Sequence, residues 1–432
     1  MRSKTKPPAR SHLIALAEFL PSACFRVAAE KRLHRNVEVA SRVRHHVIHM
    51  SESRVENKSA MANSSRTSNA DASFLQLKQI TDEILFSDSD RTTLEASIVR
   101  LYSVFSNITG LDADSERPDD TVVTMLDHGR AISPKQAAGC ILDFVRTAQF
   151  LRGLHAAVLE AQRRFPDQTL DILYAGCGPF APLAIPLTTQ FTADEIQFTL
   201  LDVHQRSLDT ARGIFKNLGL GHFVRDYKQC DASSYRHPAQ SVLHMIVTET
   251  MQAALLNEPQ VSIAMNLAPQ LCSGGILIPE SVAIDVCLWD LEYKPRPVSN
   301  GDGHSHPSPE GPLPEMTRIH LGRVAEVTLE TCRSLSKKLE ANLSEERFLP
   351  AGSVETPLDA TENFYLTLLT TITVFGRFVL SEYDSLLTYP IVMHDLGKIR
   401  GGMKIEFYYQ MGAKPGFKCR LVRDGETRDG SG

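Results

Sequence analysis

The sequence predicts an α/β protein built on a mostly parallel sheet, with a helical segment before it and a β-rich unit after it. Three observations predict this. Short apolar runs over 171–175, 197–203, 224–230 and 243–248 alternate with amphipathic stretches over 205–218 and 260–270. That rhythm is the one produced by parallel strands joined by right-handed helical crossovers. The first run ends in Gly176-Cys177-Gly178 and the second in Asp202, at the carboxyl edge where open α/β sheets bind ligands. Beyond Pro279 the pattern changes to that of antiparallel strands, over 319–329, 365–380, 404–410 and 417–422. Together these describe a Rossmann-like sheet followed by a β-rich, barrel-like unit.

The totals bound the reading. At 432 residues the chain exceeds the size at which one hydrophobic core stops growing. Its apolar fraction of 42% and charged fraction of 22% are those of a globular protein. A net charge of −5 argues against a general nucleic-acid or anionic-membrane binder, and no apolar run is long enough to span a bilayer. The eight cysteines are scattered without a CxxC pair, the pattern of reduced thiols in a cytoplasmic protein rather than a disulfide framework or metal site.

Residues 1–72 differ from the rest. The first 50 hold ten Lys/Arg against three Asp/Glu, and 51–72 are rich in Ser, Asn and Ala, so 1–72 reads as a disordered basic extension. Residues 73–165 form the helical segment that covers the ligand site. Apolar spacing is helical over 74–107, and Ser133-Pro134 starts a second helix that runs to Phe165, where Pro166 stops it. The Rossmann-like domain occupies 166–285. A β-rich substrate-side domain fills 286–432, with a mobile Pro/Gly/Ser/His loop at 295–314 whose His304 and His306 read as solvated.

The nucleotide site centres on Gly176 and Gly178, which let the backbone approach a ligand because glycine has no Cβ to clash. Asp202 can accept hydrogen bonds from both ribose hydroxyls. Asp231, after the third strand, can accept from the adenine amino group. A dinucleotide fits less well than S-adenosylmethionine: Pro179 and Phe180 would crowd a pyrophosphate, and S-adenosylmethionine has no phosphate to cradle. The predicted cofactor is therefore S-adenosyl-L-methionine.

Two further motifs resemble the protein arginine methyltransferase family, a class I methyltransferase fold. Asp143-Phe144-Val145-Arg146-Thr147 is similar to the helix that opens that family's core. The resemblance gives Arg146 the role of holding the cofactor carboxylate, which suits its fork of donors. Glu249 and Glu258, nine residues apart, resemble the family's two glutamates that grip a substrate guanidinium. The turn over 271–279 resembles the boundary between the family's two halves. Two departures bear on the substrate. Tyr174 stands where the family carries an acid that helps hold the cofactor's amino end, and the Thr-His-Trp loop has no match, the nearest region being 386–390. Tyr174 with Gly176-Cys177-Gly178-Pro179 is also similar to nicotianamine synthase, which transfers the aminobutyrate arm of the same cofactor.

The expectation is thus an S-adenosylmethionine-dependent transferase that N-methylates a small amine, guanidine or amino acid. Glu249 and Glu258 are its catalytic pair; Arg146, Tyr174, Gly176, Gly178, Asp202 and Asp231 hold the cofactor. The alternatives are chemistry on the aminobutyrate arm, releasing methylthioadenosine, and a non-catalytic cofactor-binding interaction module. Neither nucleic acid nor membrane is an expected partner, and a homodimer is compatible with the sequence.

Overall fold

The structure, a computed structural model, describes residues 64–87, 90–290, 318–341, 348–360 and 364–422. The loop expected at 295–314, with His304 and His306, lies outside them, as does most of the extension expected at 1–72. The chain divides into two units, 1–75 and 76–432. In the first, the described residues are the opening turns of helix α1 (Ser64–Phe86).

In the second unit α1 continues with Leu77, Ile80 and Ile84 on one buried stripe. Helix α2 (Arg91–Thr109) follows, so the single helical stretch read over 74–107 is two helices. Asp90 separates them, because its carboxylate accepts from the Thr93 N–H at 2.9 Å and caps a new start. A two-stranded hairpin comes next, β1 (Thr124–Leu126) and β2 (Gly129–Ala131), which the sequence reading did not assign.

The helix expected over 133–165 is broken. Ser133 caps α3 (Pro134–Gly139), a 3-10 turn spans Cys140–Leu142, and α4 runs Phe144–Arg164. The break is at Asp143, whose ψ of 82° is not helical. Its carboxylate accepts from Ser385 Oγ at 2.7 Å and from the Leu386 N–H at 3.0 Å. A contact from the far end of the chain thus overrides the local helical preference.

The parallel sheet has the order β5-β4-β3-β6-β7, formed by Val224–Gln229, Ile196–Asp202, Leu170–Ala175, Met245–Thr248 and Ile276–Ile278. Every residue of β3 is buried, as a central strand requires. Its neighbours β4 and β6 leave in opposite directions, so a crevice opens at its carboxyl end. Helices α5 (Gln205–Asn217) and α6 (Gln260–Leu267) are the crossovers.

Strand β8 (Ser281–Asp290) runs through residue 285 and begins the antiparallel part. With β9 (Arg318–Thr328), β11 (Phe364–Phe375) and β12 (Phe378–Leu380) it forms a sheet in the order β12-β11-β8-β9, and the short β13 (Ile391–Val392) and β14 (Lys398–Ile399) also pair with β11. The strand read over 365–380 is therefore two, turned at Gly376 with φ 55°. Strands β10 (Phe348–Glu355), β15 (Lys404–Gln410) and β16 (Gly416–Val422) make a second sheet. The barrel-like closure expected from the sequence is absent among the described residues. The far edge of β11 is taken by β12, β13 and β14 rather than by the second sheet, so the hydrogen-bonded path never closes. Strand β10 and helix α7 (Leu329–Ala341) were not legible in the sequence.

Helix α4 joins the layers. A Cβ on Gly153 would come within 2.5 Å of Val374 Cγ1 on β11, so only glycine allows that approach. No helix of the described residues is long and apolar enough to cross a membrane.

Candidate functional site

The crevice at the end of β3 is the mouth of a cavity. Arg146, Tyr174, Gly176, Gly178, Asp202, Asp231, Glu249 and Glu258, the residues singled out in the sequence, all line it.

The glycine loop is built by local rules. Gly176 and Gly178 have φ of 71° and 64°, where an L side chain is strained. A Cβ on Gly176 would also lie 2.3 Å from Thr250 Cγ2. The loop is tied to β4: the N–H groups of Gly176 and Cys177 both donate to the Leu201 carbonyl, at 2.9 and 3.0 Å.

Asp202 ends β4 and is buried. Its Oδ2 accepts from the Gly178 N–H at 2.9 Å and its Oδ1 from the His204 N–H at 2.8 Å. Burial raises its pKa and these two donors oppose the rise. Each oxygen keeps a lone pair for a further donor. Asp231 follows β5 and accepts from the Ser233 N–H at 2.8 Å, closing a local turn at the cavity wall.

Arg146 lies in the first turn of α4 and forms a buried ion pair with Glu249, at the end of β6. The pair holds the arginine firmly protonated. Glu249 itself is pushed up to about 7, chiefly by burial, with the negative charge of Glu258 adding to the rise and Arg146 opposing it. Glu258 is also pushed up to about 7 by burial, against the pull of Gln252, Arg130 and Arg146. Burial pushes the Tyr174 phenol well above its usual range.

Between the glutamates the backbone is strained. Ala254, Leu255 and Asn257 have φ of 54°, 55° and 61°, each costing roughly 1–2 kcal/mol for a residue with a Cβ. Contacts from the antiparallel part and the residues after β15 hold these conformations. The Ala254 N–H donates to Thr370 Oγ1, Tyr409 Oη donates to the Leu255 carbonyl, and the Asn257 N–H donates to the Pro415 carbonyl, all at 2.9 Å. Buried Gln260 fixes the other end of the loop. Its Oε1 accepts from Thr250 N at 3.0 Å, Thr250 Oγ1 at 2.9 Å and Thr248 Oγ1 at 3.3 Å, and its Nε2 donates to the Thr248 carbonyl.

Sequence reasoning missed two participants, Gln260 and Arg130. Arg130, on β2, lines the same cavity as Glu258 and its charge opposes the rise in that carboxyl's pKa. The hairpin is pressed onto the glutamate loop: the Arg130 N–H donates to the Asn257 carbonyl at 2.8 Å, and a Cβ on Gly129 would lie 2.9 Å from Pro259 N. At its other end the hairpin reaches the loop after β4, where the Ile132 carbonyl lies 3.1 Å from His204 Nε2. The available signal was the turn-forming Asp127-His128-Gly129 between two short stretches.

No protein-family model matches the chain, and no curated protein matches it. Solved structures do match. One is the Trypanosoma brucei PRMT1 enzyme-prozyme heterotetrameric complex with AdoHcy, 14% identical, with 67% of this chain and 93% of that one covered at a TM-score of 0.42. A likeness of that size assigns neither a family nor an activity to this chain.

Proposed function

We propose that the cavity binds S-adenosylmethionine and that the protein transfers its methyl group to a nitrogen of a small substrate. The observation that carries this is one cavity walled on one side by the Gly176–Gly178 loop with Asp202 and on the other by the buried pair Glu249 and Glu258. The residues suit the cofactor. The glycine loop lines the cavity with bare backbone, Asp202 keeps a lone pair on each oxygen for the ribose hydroxyls, and Asp231 stands ready for the adenine amino group. Arg146 offers its fork to the cofactor carboxylate.

When bound, the cofactor supplies an electrophilic methyl on a sulfonium. The protein's part is to desolvate, orient and collect a proton. The substrate nitrogen forms the new bond to the methyl carbon, and the electron pair of the broken carbon–sulfur bond stays on sulfur. The proton then leaving nitrogen passes to Glu258 or Glu249, whose values near 7 make them competent acceptors at neutral pH. Orientation by two carboxylates is the larger contribution.

A second reading rests on Tyr174. With a phenol in place of a carboxylate, nothing at this position holds the cofactor's amine as an ammonium, and that amine can attack its own chain and release methylthioadenosine. The product separates the readings. Calorimetry should show S-adenosylhomocysteine binding, weakened at least tenfold by Asp202→Ala, since charge-assisted bonds are worth roughly 1.5–3 kcal/mol each. Chromatography after incubation with S-adenosylmethionine and a pool of amines should show S-adenosylhomocysteine for methyl transfer, or methylthioadenosine for the second reading. Failure of S-adenosylhomocysteine to bind would overturn the proposal.

A further inference from the structure

The charges at the glutamate end of the cavity are two carboxylates, Glu249 and Glu258, and two guanidinium groups, Arg146 and Arg130. With both glutamates ionised these balance, and the Asp143 carboxylate, within electrostatic reach of Arg146 and Glu249, adds one negative charge. Asp202 and Asp231 belong to the opposite end, on the far side of β3, where β4 and β5 finish. The methionine part of the cofactor would bring one carboxylate, one ammonium and one sulfonium, a net positive charge that Asp143 offsets. A cationic guanidinium would add a positive charge with no partner, in a site where an uncompensated buried charge is costly. A substrate that brings its own carboxylate adds no net charge.

The geometry offers a place for that carboxylate. Arg130 and Glu258 both line the cavity, on two segments locked together by the Arg130 N–H to Asn257 carbonyl bond and by the close approach of Gly129 to Pro259. A donor fork and a carboxylate on one cavity wall match, with opposite sign, the carboxylate and amine of an amino acid. The hairpin also reaches His204 at its other end, so Arg130 is carried by an element anchored at both ends.

We propose that the substrate is a free amino acid, bound zwitterionically with its carboxylate on Arg130 and its amine toward Glu258, and that Arg130 is the residue that determines this specificity. The inference rests on the cavity binding S-adenosylmethionine as described above. Before transfer the amine gives up one proton to Glu258, so that a lone pair faces the sulfonium methyl.

The test uses the full-length protein saturated with S-adenosylhomocysteine, whose own affinity is measured first and reports on the cofactor reading alone. The loaded protein is then titrated with each of the twenty common L-amino acids, β-alanine and 4-aminobutyrate, with the amide of every binder, and with an N-acetylated, C-amidated arginine–glycine peptide. At least one free amino acid should bind, its amide at least tenfold more weakly, and the capped peptide not measurably. Arg130→Gln should weaken the amino acid at least tenfold while S-adenosylhomocysteine stays within twofold, and Arg130→Lys should restore part of the loss. The inference is overturned if S-adenosylhomocysteine binds but no member of the panel does. It is equally overturned if amide and acid bind alike, if the capped peptide binds, or if Arg130→Gln weakens S-adenosylhomocysteine as much as the amino acid. Absence of S-adenosylhomocysteine binding would sink the cofactor reading, and this inference with it.

Discussion

Glu249 and Glu258 take up protons at a higher pH than a glutamate in water does, because burial removes the water that would stabilise their charge. Unfolded, each returns to its ordinary value near 4.5. The folded value is raised, so each contributes stability that is complete below about pH 4.5 and is lost as pH rises through about 7. Glu258→Gln should flatten this part of the profile. Relative to the native protein, the variant should gain at least about 1 kcal/mol on going from pH 5 to pH 8, measured by denaturant melts at both values. An unchanged difference would show that Glu258 is ionised throughout. Turnover should fall more than tenfold in Glu249→Gln and in Glu258→Gln, and the two losses should not add, because both side chains position one group. At this scale the sequence was uneven. Gly176, Gly178 and Asp202 stand at the ends of two adjacent strands whose apolar runs show in the sequence, so their place on the cavity wall was legible. Arg130 gains its meaning from Glu258, far along the chain, and nothing near Arg130 points there.

The loop from Glu249 to Glu258 is held in a strained shape from both sides, and Gln260 is its clamp. One carbonyl oxygen there receives three donors, among them the part-buried Thr250 N–H. Gln260→Leu would leave that N–H without its acceptor, with a loss of about 1–3 kcal/mol of stability. It should also lower kcat several-fold while S-adenosylhomocysteine affinity stays within threefold, because the glycine loop and Asp202 are untouched. Loss of cofactor affinity with kcat intact would place Gln260 in a different role. Elements were legible where periodicity alone decides them, as in β3, β4, β6 and α5. They were illegible where distant contacts decide. Asp143 breaks the helix read over 133–165 because Ser385 and Leu386 bind its carboxylate, and the hairpin β1–β2 is too short to show a period.

The parallel sheet and the antiparallel part meet at the glutamate loop, since Thr370, Tyr409 and Pro415 all bond its backbone. The part of the molecule that completes the site is therefore the part whose architecture the sequence described only in outline. Its strands alternate, but alternation does not say whether they close, and the caps on β11 keep them open. The unit formed by 76–432 is distinct from 1–75, and the first 50 residues carry ten Lys/Arg against three Asp/Glu, unlike the rest of the chain. Protein beginning at Met61 should keep its melting temperature within about 2 °C and its S-adenosylhomocysteine affinity within twofold, by thermal melt and calorimetry. A fall of more than about 5 °C would show that the removed segment contributes to the fold.

The ion pair between Arg146 and Glu249 has a consequence for how the site fills. On the proposed reading, an incoming cofactor carboxylate meets an arginine already occupied by a carboxylate of the same chain. Glu249 is in effect a tethered competitor, present at a concentration fixed by the fold and never diluted. The free energy released on docking is thus a difference between two similar contacts, and the observed affinity understates the strength of the new one. The exchange also liberates Glu249, which becomes available to a substrate only after its place on Arg146 has been taken. A protein wired this way keeps its second ligand waiting for its first, with no moving lid.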